Sequence, residues 1–359
     1  MASAESASAL IRPKPVRSPF FLRQLRARPH LYSAICRARM LYSRRVAAAV
    51  GRRQFRANAR LFVTNDFERS LIASLRRHGY ALAPGFFSAA VADSLSASSD
   101  CLFRALSLDP LRSYSVQSGH LRDFSGLTYD DLAVREKLIA VRDPLLQIPE
   151  LFPVAFHETI LKVVANFLGY IPPLCRVTVV RDFPHNRPLH SSNFHKDNDE
   201  CDSLQIFIYL VDIDDTRGPL VYIPGSHRYD ARSCRPRLSR DLGLDANDGR
   251  LSDEEVSRVY PRNSWVSLRT VRGSVAWVYG NGIHKGPAWP RPGDPSNQPR
   301  TAIKIDIHGY KSGIARDFRE NRIAESALAR LTPLQLLFAH ASPVEDSSVY
   351  RSAAAAFAD

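Results

Sequence analysis

The chain has 359 residues, and its 45% hydrophobic content is typical of one large globular domain or two small ones. Its net charge of +13 is confined to the first sixty residues, which hold 14 of the 49 Lys and Arg but one of the 36 Asp and Glu. The remaining 35 basic and 35 acidic groups balance. This balance argues against a protein whose whole surface binds nucleic acid.

The cysteines and the apolar runs indicate where such a chain would reside. The five cysteines are odd in number and form no CxxC pair, so neither a disulfide framework nor a thiolate zinc site is expected, and a cytoplasmic location is predicted. No transmembrane segment is predicted, because no apolar run approaches the ~18–20 residues needed. The Arg-rich, acid-poor start also has the composition of a mitochondrial transit peptide, so mitochondrial targeting stays open.

The first segment, residues 1–63, is predicted to be a basic and partly disordered extension. Several prolines interrupt its first half, and a helix is possible near Leu31–Val50. A solvated arm is one interpretation of this segment. The alternative is a basic surface that contacts an anionic lipid surface, nucleic acid or partner protein.

The main predicted domain covers residues 64–312 and opens with helical patterns. Asn65 or Asp66 can cap a helix that runs to about Arg77, and Gly79 ends it. A short strand, Tyr80–Ala83, follows. Helical spacing then predicts three more helices, from Ser88 to about Leu106, over Tyr129–Val141 and over Phe156–Leu168.

From residue 174 the pattern changes to short runs of Val, Ile, Phe and Tyr between Gly and Pro turns, which predicts a β-sandwich or barrel. The polar segment 229–262 is predicted to be an insertion that covers one mouth of it as a lid. A helical tail, 313–359, is predicted to end the chain, with its helix over Ile314–Ala339. The predicted strands are Leu174–Val180, Gln205–Val211, Leu220–Ile223, Trp265–Val271, Ser274–Tyr279 and Thr301–Ile307.

Three residues have the spacing of a metal site. His195 and Asp197 lie two apart at the end of a predicted strand, so their side chains point the same way. His284 lies 89 residues later in another strand-rich segment and can close the site. Two imidazoles and one carboxylate on one side of Fe(II) leave three positions open for a chelating co-substrate and O₂. His195, Asp197 and His284 are therefore predicted to be both the metal ligands and the catalytic centre.

Arg300 opens the predicted strand that follows His284. A guanidinium can hold the distal carboxylate of a dicarboxylic keto acid in a bidentate manner, which an ammonium group cannot do with the same geometry. Arg300 is therefore the candidate co-substrate ligand, with an ordinary surface arginine as the alternative.

The order of these motifs resembles the phytanoyl-CoA dioxygenase family. Gln205–Arg228 has that family's core strand, acidic turn, Gly-Pro-Leu and Pro-Gly-Ser-His. Ser192–Asp197 resembles its metal-binding strand, and Gly282–Gly286 its distal-histidine segment. The resemblance covers about residues 66–310 and fails over 1–63. His227, within Pro-Gly-Ser-His, is expected to be a structural turn residue.

This resemblance implies a mainly β fold, a double-stranded β-helix (jelly roll, cupin-like) flanked by N-terminal and C-terminal α-helices. The implied cofactors are Fe(II), 2-oxoglutarate as co-substrate and O₂. Gln205 falls where the family places a polar side chain that helps hold 2-oxoglutarate, and Thr178 is a further candidate for that role. Two departures stand out: Ala302 lies where a small hydroxyl residue is common, and Tyr279 where an acid is common.

The predicted reaction is hydroxylation of an unactivated C–H bond of a small organic substrate, with release of succinate and CO₂; desaturation stays open. Halogenation is not expected, because Asp197 holds the position that a halide would need. A cluster of arginines suggests an anionic group on the substrate. Two alternatives are a cupin-like metalloenzyme without 2-oxoglutarate and a non-catalytic binding protein. The arginines are Arg228, Arg232, Arg235, Arg237 and Arg240.

Overall fold

The computed structural model describes most of the predicted catalytic domain. The described residues are 45–105, 113–115, 127–135, 138–141, 143–172, 174–184, 192–197, 202–228, 250–289, 293–309, 321–339 and 341–344. Some predictions lie outside them: the basic extension as far as residue 44, the part of the insertion over 229–249, and the end of the tail after residue 344.

The described end of the basic segment packs against the body. A π-helical turn, Ala47–Gly51, leads into helix α1 (Arg52–Ala57) and then a 3₁₀ turn, Ala59–Phe62. Phe62 is buried in the main core, and its ring centroid lies 4.7 Å from that of Phe55. Phe55 and Phe62 therefore belong to the body of the protein, although the sequence predicted a separate extension over residues 1–63. For the residues before Phe55 that extension stays a prediction.

Helix α2 (Asp66–His78) begins and ends at its capping residues. The Asn65 side chain accepts a hydrogen bond from the Glu68 amide, and the Glu68 carboxylate accepts one from the Asn65 amide, which forms a capping box. Gly79 ends the helix with a φ of +87°, where a residue without Cβ is favoured. The predicted bounds of this helix are confirmed.

The other described helices lie before and after the strand-rich region, except for one short helix within it. The longest of them, α3 and α7, match the predicted helices to within a few residues. They are α3 (Ala89–Ala105), α4 (Tyr129–Arg135), α5 (Pro144–Gln147), α6 (Leu151–Ala155), α7 (Glu158–Leu168), α8 (Asp253–Ser257), α9 (Glu325–Leu328) and α10 (Pro333–Ala339).

The strands form a large antiparallel sheet, a small antiparallel sheet and a parallel pair near the end of the chain. The large sheet has the order β1-β8-β5-β10-β4-β3-β2, and in the small sheet β6 lies between β7 and β9. The strands are β1 (Tyr80–Ala83), β2 (Ser113–Ser115), β3 (Leu138–Val141), β4 (Leu174–Asp182), β5 (Ser203–Tyr209), β6 (Val221–Tyr222), β7 (Val266–Ser267), β8 (Val275–Tyr279), β9 (His284–Lys285), β10 (Arg300–His308) and the parallel pair β11 (Asn321–Ala324) and β12 (Ala341–Val344).

The two faces of the large sheet pack against different partners, because side chains alternate along each strand. Ile303 and Ile305 of β10 belong to the main core, together with the apolar residues of α2 and α7. Ala302 lies on the opposite face, in a second core that Tyr209 of β5 and Tyr222 of the small sheet share. This opposite face, called the inner face below, lies between the two sheets and carries the candidate site.

One described stretch is long and apolar enough by composition to cross a membrane, namely Leu151–Leu168, although the sequence predicted none. Half of it is buried inside the protein. It consists of α6 and α7, separated by Phe156 and His157. Ile160, Val163 and Val164 are buried in the main core, so the apolar face of α7 packs on the sheet.

Two helix predictions were wrong in part. Residues 138–141 form β3 and not the end of a helix, because this apolar run pairs with β4 inside the large sheet. The tail holds the parallel strands β11 and β12 as well as two short helices. The predicted long helix fails because Pro333 starts a new helix, α10, whose first turn is capped by mutual hydrogen bonds between Thr332 and Gln335.

The mainly antiparallel β core that the sequence predicted is confirmed. The complete double-stranded β-helix stays a prediction. Of the predicted lid, residues 250–262 are described. There Leu251 pairs with Phe194 as an isolated bridge, and Val256 of α8 packs with Phe194 and Ile283 in a small core. This part of the insertion is therefore attached to the segments that carry His195 and His284.

Candidate metal centre

The backbone brings the two histidine segments together. The amide of His195 donates a hydrogen bond to the His284 carbonyl (2.8 Å), and the His284 amide donates to the His195 carbonyl (3.0 Å). The amide of Asp197 donates to the carbonyl of Gly280 at 2.8 Å. This pairing places the two imidazole rings side by side, with centroids 4.5 Å apart.

The three predicted ligand side chains converge on one point. The Oδ1 atom of Asp197 lies 3.7 Å from Nε2 of His195 and 3.6 Å from Nε2 of His284. One ligand atom from each residue lies within 4.8 Å of the others. Neighbouring ligands around a metal with bonds of about 2.1 Å lie roughly 3 Å apart, so a small contraction would complete the site.

The hydrogen bonds of the imidazoles fix which nitrogen faces the metal position. Nδ1 of His195 lies 2.8 Å from the Asn193 carbonyl, and Nδ1 of His284 lies 3.1 Å from the Gly282 carbonyl. A carbonyl only accepts hydrogen bonds, so each Nδ1 carries a proton and each Nε2 is the ring nitrogen that faces the metal position. Both rings are thereby oriented with Nε2 as the atom that can bind a metal.

Burial and the neighbouring charges favour the protonation states that a metal requires. Burial lowers the pKa of His195 to about 3, and the charge of His284 acts in the same direction. Burial opposes ionisation of Asp197, but the neighbouring imidazoles of His284 and His195 and the ammonium group of Lys304 outweigh it and hold the pKa of Asp197 below its ordinary value. At neutral pH the site therefore offers a neutral His195 imidazole and a carboxylate.

Gly280 makes room for the carboxylate. A Cβ atom at this position would lie 2.2 Å from Oδ2 of Asp197 and 2.9 Å from its Cγ. Gly280 follows β8 and has the same orientation as Val278, which belongs to the second core. The triad therefore lies on the inner face. Oδ2 of Asp197 is buried and has no hydrogen-bond partner among the described residues, as expected for an atom near a cation.

The donor set, two imidazoles and one carboxylate on one side of an open space, fits Fe(II). The family model for phytanoyl-CoA dioxygenase matches residues 75–289, which include all three predicted metal ligands. The chain belongs to the phytanoyl-CoA dioxygenase family. The family match and the triad confirm the predicted enzyme class, a non-haem iron 2-oxoglutarate-dependent oxygenase, and set aside the cupin-like and the non-catalytic alternatives.

The solved structures that are similar to this member of the family include iron enzymes. One is the epimerase SnoN in complex with Fe³⁺, α-ketoglutarate and nogalamycin RO, at 18% identity, with 71% of this chain and 94% of that chain covered and a TM-score of 0.43. HygX from Streptomyces hygroscopicus, with nickel and 2-oxoglutarate bound, has 14% identity, 70% and 90% coverage and a TM-score of 0.40. EctD from S. alaskensis with bound Fe has 18% identity, 68% and 79% coverage and a TM-score of 0.43. No curated protein matches the chain.

Arg300, the predicted co-substrate ligand in this family member, is buried at the start of β10 on the inner face. Its Nε and Nη2 donate hydrogen bonds to Oδ2 of Asp182 at 3.0 and 2.7 Å, and its Nη1 donates to the Gly218 carbonyl at 2.9 Å. These bonds use three of the five N–H groups of a guanidinium. The sequence had not predicted that an acidic residue would pair with Arg300.

The two weaker co-substrate candidates also lie on the inner face. Thr178 of β4 is buried, and its hydroxyl donates a hydrogen bond to the carbonyl of Lys304 at 3.3 Å. Gln205 of β5 is partly exposed and pairs in register with Val278 of β8 and Asp306 of β10. A role for either residue in holding 2-oxoglutarate stays a prediction.

Sequence reasoning missed several residues near the triad. The positive charge of Lys304 helps to lower the pKa of Asp197, and that of Arg250 helps to lower the pKa of His195. Lys304 pairs with Asp306 at 2.9 Å. Polar residues at alternate positions of an otherwise apolar strand were the available signal for Lys304 and Asp306. No local signal connects Arg250 to the site, because the fold brings it there.

His227 has the structural role that the sequence predicted. Its Nε2 lies 3.2 Å from the carbonyl of Arg76 at the end of α2, and the Gly225 amide donates a hydrogen bond to the His78 carbonyl. The Pro-Gly-Ser-His turn thereby joins the end of α2. Burial lowers the pKa of His227 below its ordinary value.

Proposed function

We propose that the protein hydroxylates a C–H bond of a small organic substrate. One O₂ and one 2-oxoglutarate would be consumed, one oxygen atom would enter the substrate, and succinate and CO₂ would be released. The observation that carries the proposal is the triad of His195, Asp197 and His284 on the same inner face as Arg300. When bound there, Fe(II) and 2-oxoglutarate would supply the activation of O₂.

The side chains of this chain have separate tasks in that reaction. His195 and His284 would hold the metal through Nε2, because backbone carbonyls orient their rings. Asp197 would neutralise part of the metal charge. Arg300 has two N–H groups beyond its described bonds, and these would bind the distal carboxylate of 2-oxoglutarate.

The surroundings favour a reaction shielded from water. Phe207 and Tyr222 line the second core on opposite sheets and are buried next to the inner face. A dry site protects reactive intermediates from side reactions. Asp197 would hold the coordination position that a halide would need, so the proposal is hydroxylation and not halogenation.

We further propose that the substrate carries an anionic group. Two cations act electrostatically on the ligand side chains: Arg250, and Lys304, which also pairs with Asp306 at 2.9 Å. Arg228 is exposed at the start of the insertion, and the other four arginines of the cluster lie outside the described residues. An anionic substrate would be attracted to this group of cations.

A separate proposal concerns the basic segment, which we infer contacts an anionic partner or surface. Arg52, Arg53, Arg56 and Arg60 are all exposed on α1 and the turn after it. Binding to vesicles of anionic phospholipid should exceed binding to neutral vesicles, fall with salt and weaken when the four arginines are replaced by glutamine. Equal binding to both vesicle types would contradict it. The cytoplasmic location also remains a proposal, and cell fractionation tests it against mitochondrial import.

The decisive experiment for the catalytic proposal is anaerobic addition of Fe(II) and 2-oxoglutarate to the purified protein. A weak visible metal-to-ligand charge-transfer band should appear, and His195→Ala should abolish it. Arg300→Ala should still bind Fe(II) but need far more 2-oxoglutarate to develop the band. With O₂ and candidate anionic substrates, succinate should form in equal amount to hydroxylated product. Absence of the band in the unmodified protein would refute the proposal.

A further inference from the structure

Three buried polar side chains meet on the inner face, next to the first residues of β10. Asp182 of β4, Tyr209 of β5 and Arg300 of β10 belong to three adjacent strands of the large sheet. Arg300 pairs in register with Asp182, and Ala302 pairs with Tyr209. None of the three polar residues is more than 4% exposed, so water does not readily satisfy their hydrogen bonds.

Two polar atoms of this cluster have no hydrogen-bond partner among the described residues. They are the hydroxyl of Tyr209 and Oδ1 of Asp182. A buried group without a partner is costly, and in native proteins such groups commonly serve a ligand. The charges of Arg300 and Asp182 both act on the Tyr209 hydroxyl, and burial raises the pKa of Tyr209. The hydroxyl is therefore protonated and able to donate a hydrogen bond.

Tyr209 lies across from Ala302, one of the two positions where the sequence departs from the family pattern. Where the sequence resembles the family, a small hydroxyl residue is common at the position of Ala302, two residues after the arginine. Tyr209 lies directly across from Ala302 on β5, and cross-strand neighbours have Cβ atoms about 5 Å apart. A tyrosine at this position can place its hydroxyl beside the guanidinium that the missing hydroxyl would have accompanied.

Because Asp182 is negatively charged, a neutral hydrogen-bond donor beside Arg300 becomes more important for holding a carboxylate. Asp182 offsets the charge of Arg300, so the pair as a whole attracts a further carboxylate weakly. An incoming carboxylate must then be held mainly by hydrogen bonds, from the two remaining N–H groups of Arg300 and from nearby hydroxyls.

We propose that the Tyr209 hydroxyl donates a hydrogen bond to the distal carboxylate of 2-oxoglutarate and replaces the hydroxyl that is absent at Ala302. This inference rests on the proposed use of 2-oxoglutarate at the triad. It adds Tyr209 to the binding residues and makes it a determinant of selectivity for dicarboxylic keto acids.

The test is the binding of two keto acids to the Fe(II)-loaded protein without O₂. Tyr209→Phe should raise the Kd for 2-oxoglutarate by roughly 10- to 100-fold, as expected for the loss of a hydrogen bond to a charged group. The Kd for 2-oxopentanoate, which lacks the distal carboxylate, should change little. General damage to the pocket would raise both Kd values. The ratio of the two Kd values therefore separates the loss of one hydrogen bond from such damage.

Stability measurements separate binding from folding. The Tyr209 hydroxyl has no described partner, so Tyr209→Phe should not lower the melting temperature of the protein without ligand. Tyr170→Phe is the matched control, because Tyr170 is also buried but its hydroxyl donates a hydrogen bond to Asp202 at 3.0 Å. This control should lower the melting temperature and leave the Kd for 2-oxoglutarate unchanged. Adding Ala302→Ser to Tyr209→Phe should restore part of the affinity.

The possible failures are distinguishable. If the unmodified protein develops no charge-transfer band with 2-oxoglutarate, the proposed function itself fails. If the unmodified protein binds 2-oxoglutarate and Tyr209→Phe binds it equally well, the role of Tyr209 is overturned while the proposed function stands. A Tyr209→Phe variant that weakens both keto acids equally would also overturn the proposal.

Discussion

Replacement of Gly280 by alanine tests the architecture of the metal centre more sharply than removal of a ligand. The added Cβ would lie 2.2 Å from Oδ2 of Asp197, whereas ordinary contacts of a Cβ begin at 3.4 Å. The carboxylate must therefore move by about 1.2 Å, more than half the length of a metal–oxygen bond of ~2.1 Å. Rotation of the side chain alone does not relieve the contact, because Cβ of Asp197 would lie 3.0 Å from the new atom.

We expect Gly280→Ala to weaken Fe(II) binding at least as strongly as the loss of an outer-shell partner of a metal ligand, which costs roughly 10- to 100-fold in affinity. The assay is anaerobic titration with Fe(II) at saturating 2-oxoglutarate, followed by the charge-transfer band. The fold should survive, because Asp197 belongs to none of the hydrophobic cores and its side chain is 16% exposed.

Gly169→Ala is the matched control. Gly169 ends α7 with a φ of +73°, and a Cβ there would meet no atom within 4 Å. The control variant should lose roughly 1–2 kcal/mol of stability from backbone strain and keep its Fe(II) affinity. If Gly280→Ala bound Fe(II) as tightly as the unmodified protein, the placement of Asp197 against Gly280 would be refuted.

Three further predictions concern charge, packing and pH. Asp182→Asn should lower the Kd for 2-oxoglutarate several-fold, because Arg300 would lose its counter-charge; calorimetry measures this Kd, and an unchanged value would show that Asp182 does not weaken carboxylate binding by Arg300. The same variant should lose roughly 3 kcal/mol of stability without ligand in urea unfolding. Phe62→Ala should cost roughly 3–5 kcal/mol in urea unfolding, while Phe67→Ala, at a half-exposed position, should cost under about 1 kcal/mol; equal losses would place Phe62 outside the core. Because burial keeps the pKa of His227 below its unfolded value of about 6.5, its contribution to stability is present above that pH and is lost as the pH falls. The urea midpoint of the unmodified protein should therefore drop more between pH 7.5 and 5.5 than that of His227→Gln, and parallel losses would argue against the buried neutral ring.

The elements with strong local signals were predicted well. Asn65, Glu68 and Gly79 are capping residues whose effect depends on the next few residues only, so the bounds of α2 followed from the sequence. Short apolar runs were harder, since residues 138–141 suit either a helix or a buried strand. Their pairing with β4, about forty residues later, decided the outcome.

The candidate site also has some features that the sequence predicted and others that it did not. His195 and Asp197 lie two residues apart, next to the isolated bridge that pairs His195 with His284, and in an extended segment this spacing places both side chains on one side of the chain. The convergence with His284 agreed with the prediction because motif order and residue type restrict the possible partners. The contact of Arg300 with Asp182 could not be predicted, because it joins residues 118 positions apart whose register is set by the sheet.

The sequence by itself determined the ligand types, their order along the chain, the family and the period-two pattern of the strands, since these depend on residue identity and local geometry. The tertiary structure decided which side chains share the inner face: the carboxylate against Gly280, the acid beside Arg300 and the tyrosine opposite Ala302. The physical reason is that strand register and sheet packing minimise the free energy of the whole domain. Contacts between distant strands therefore depend on all the other strands, and no single segment encodes them.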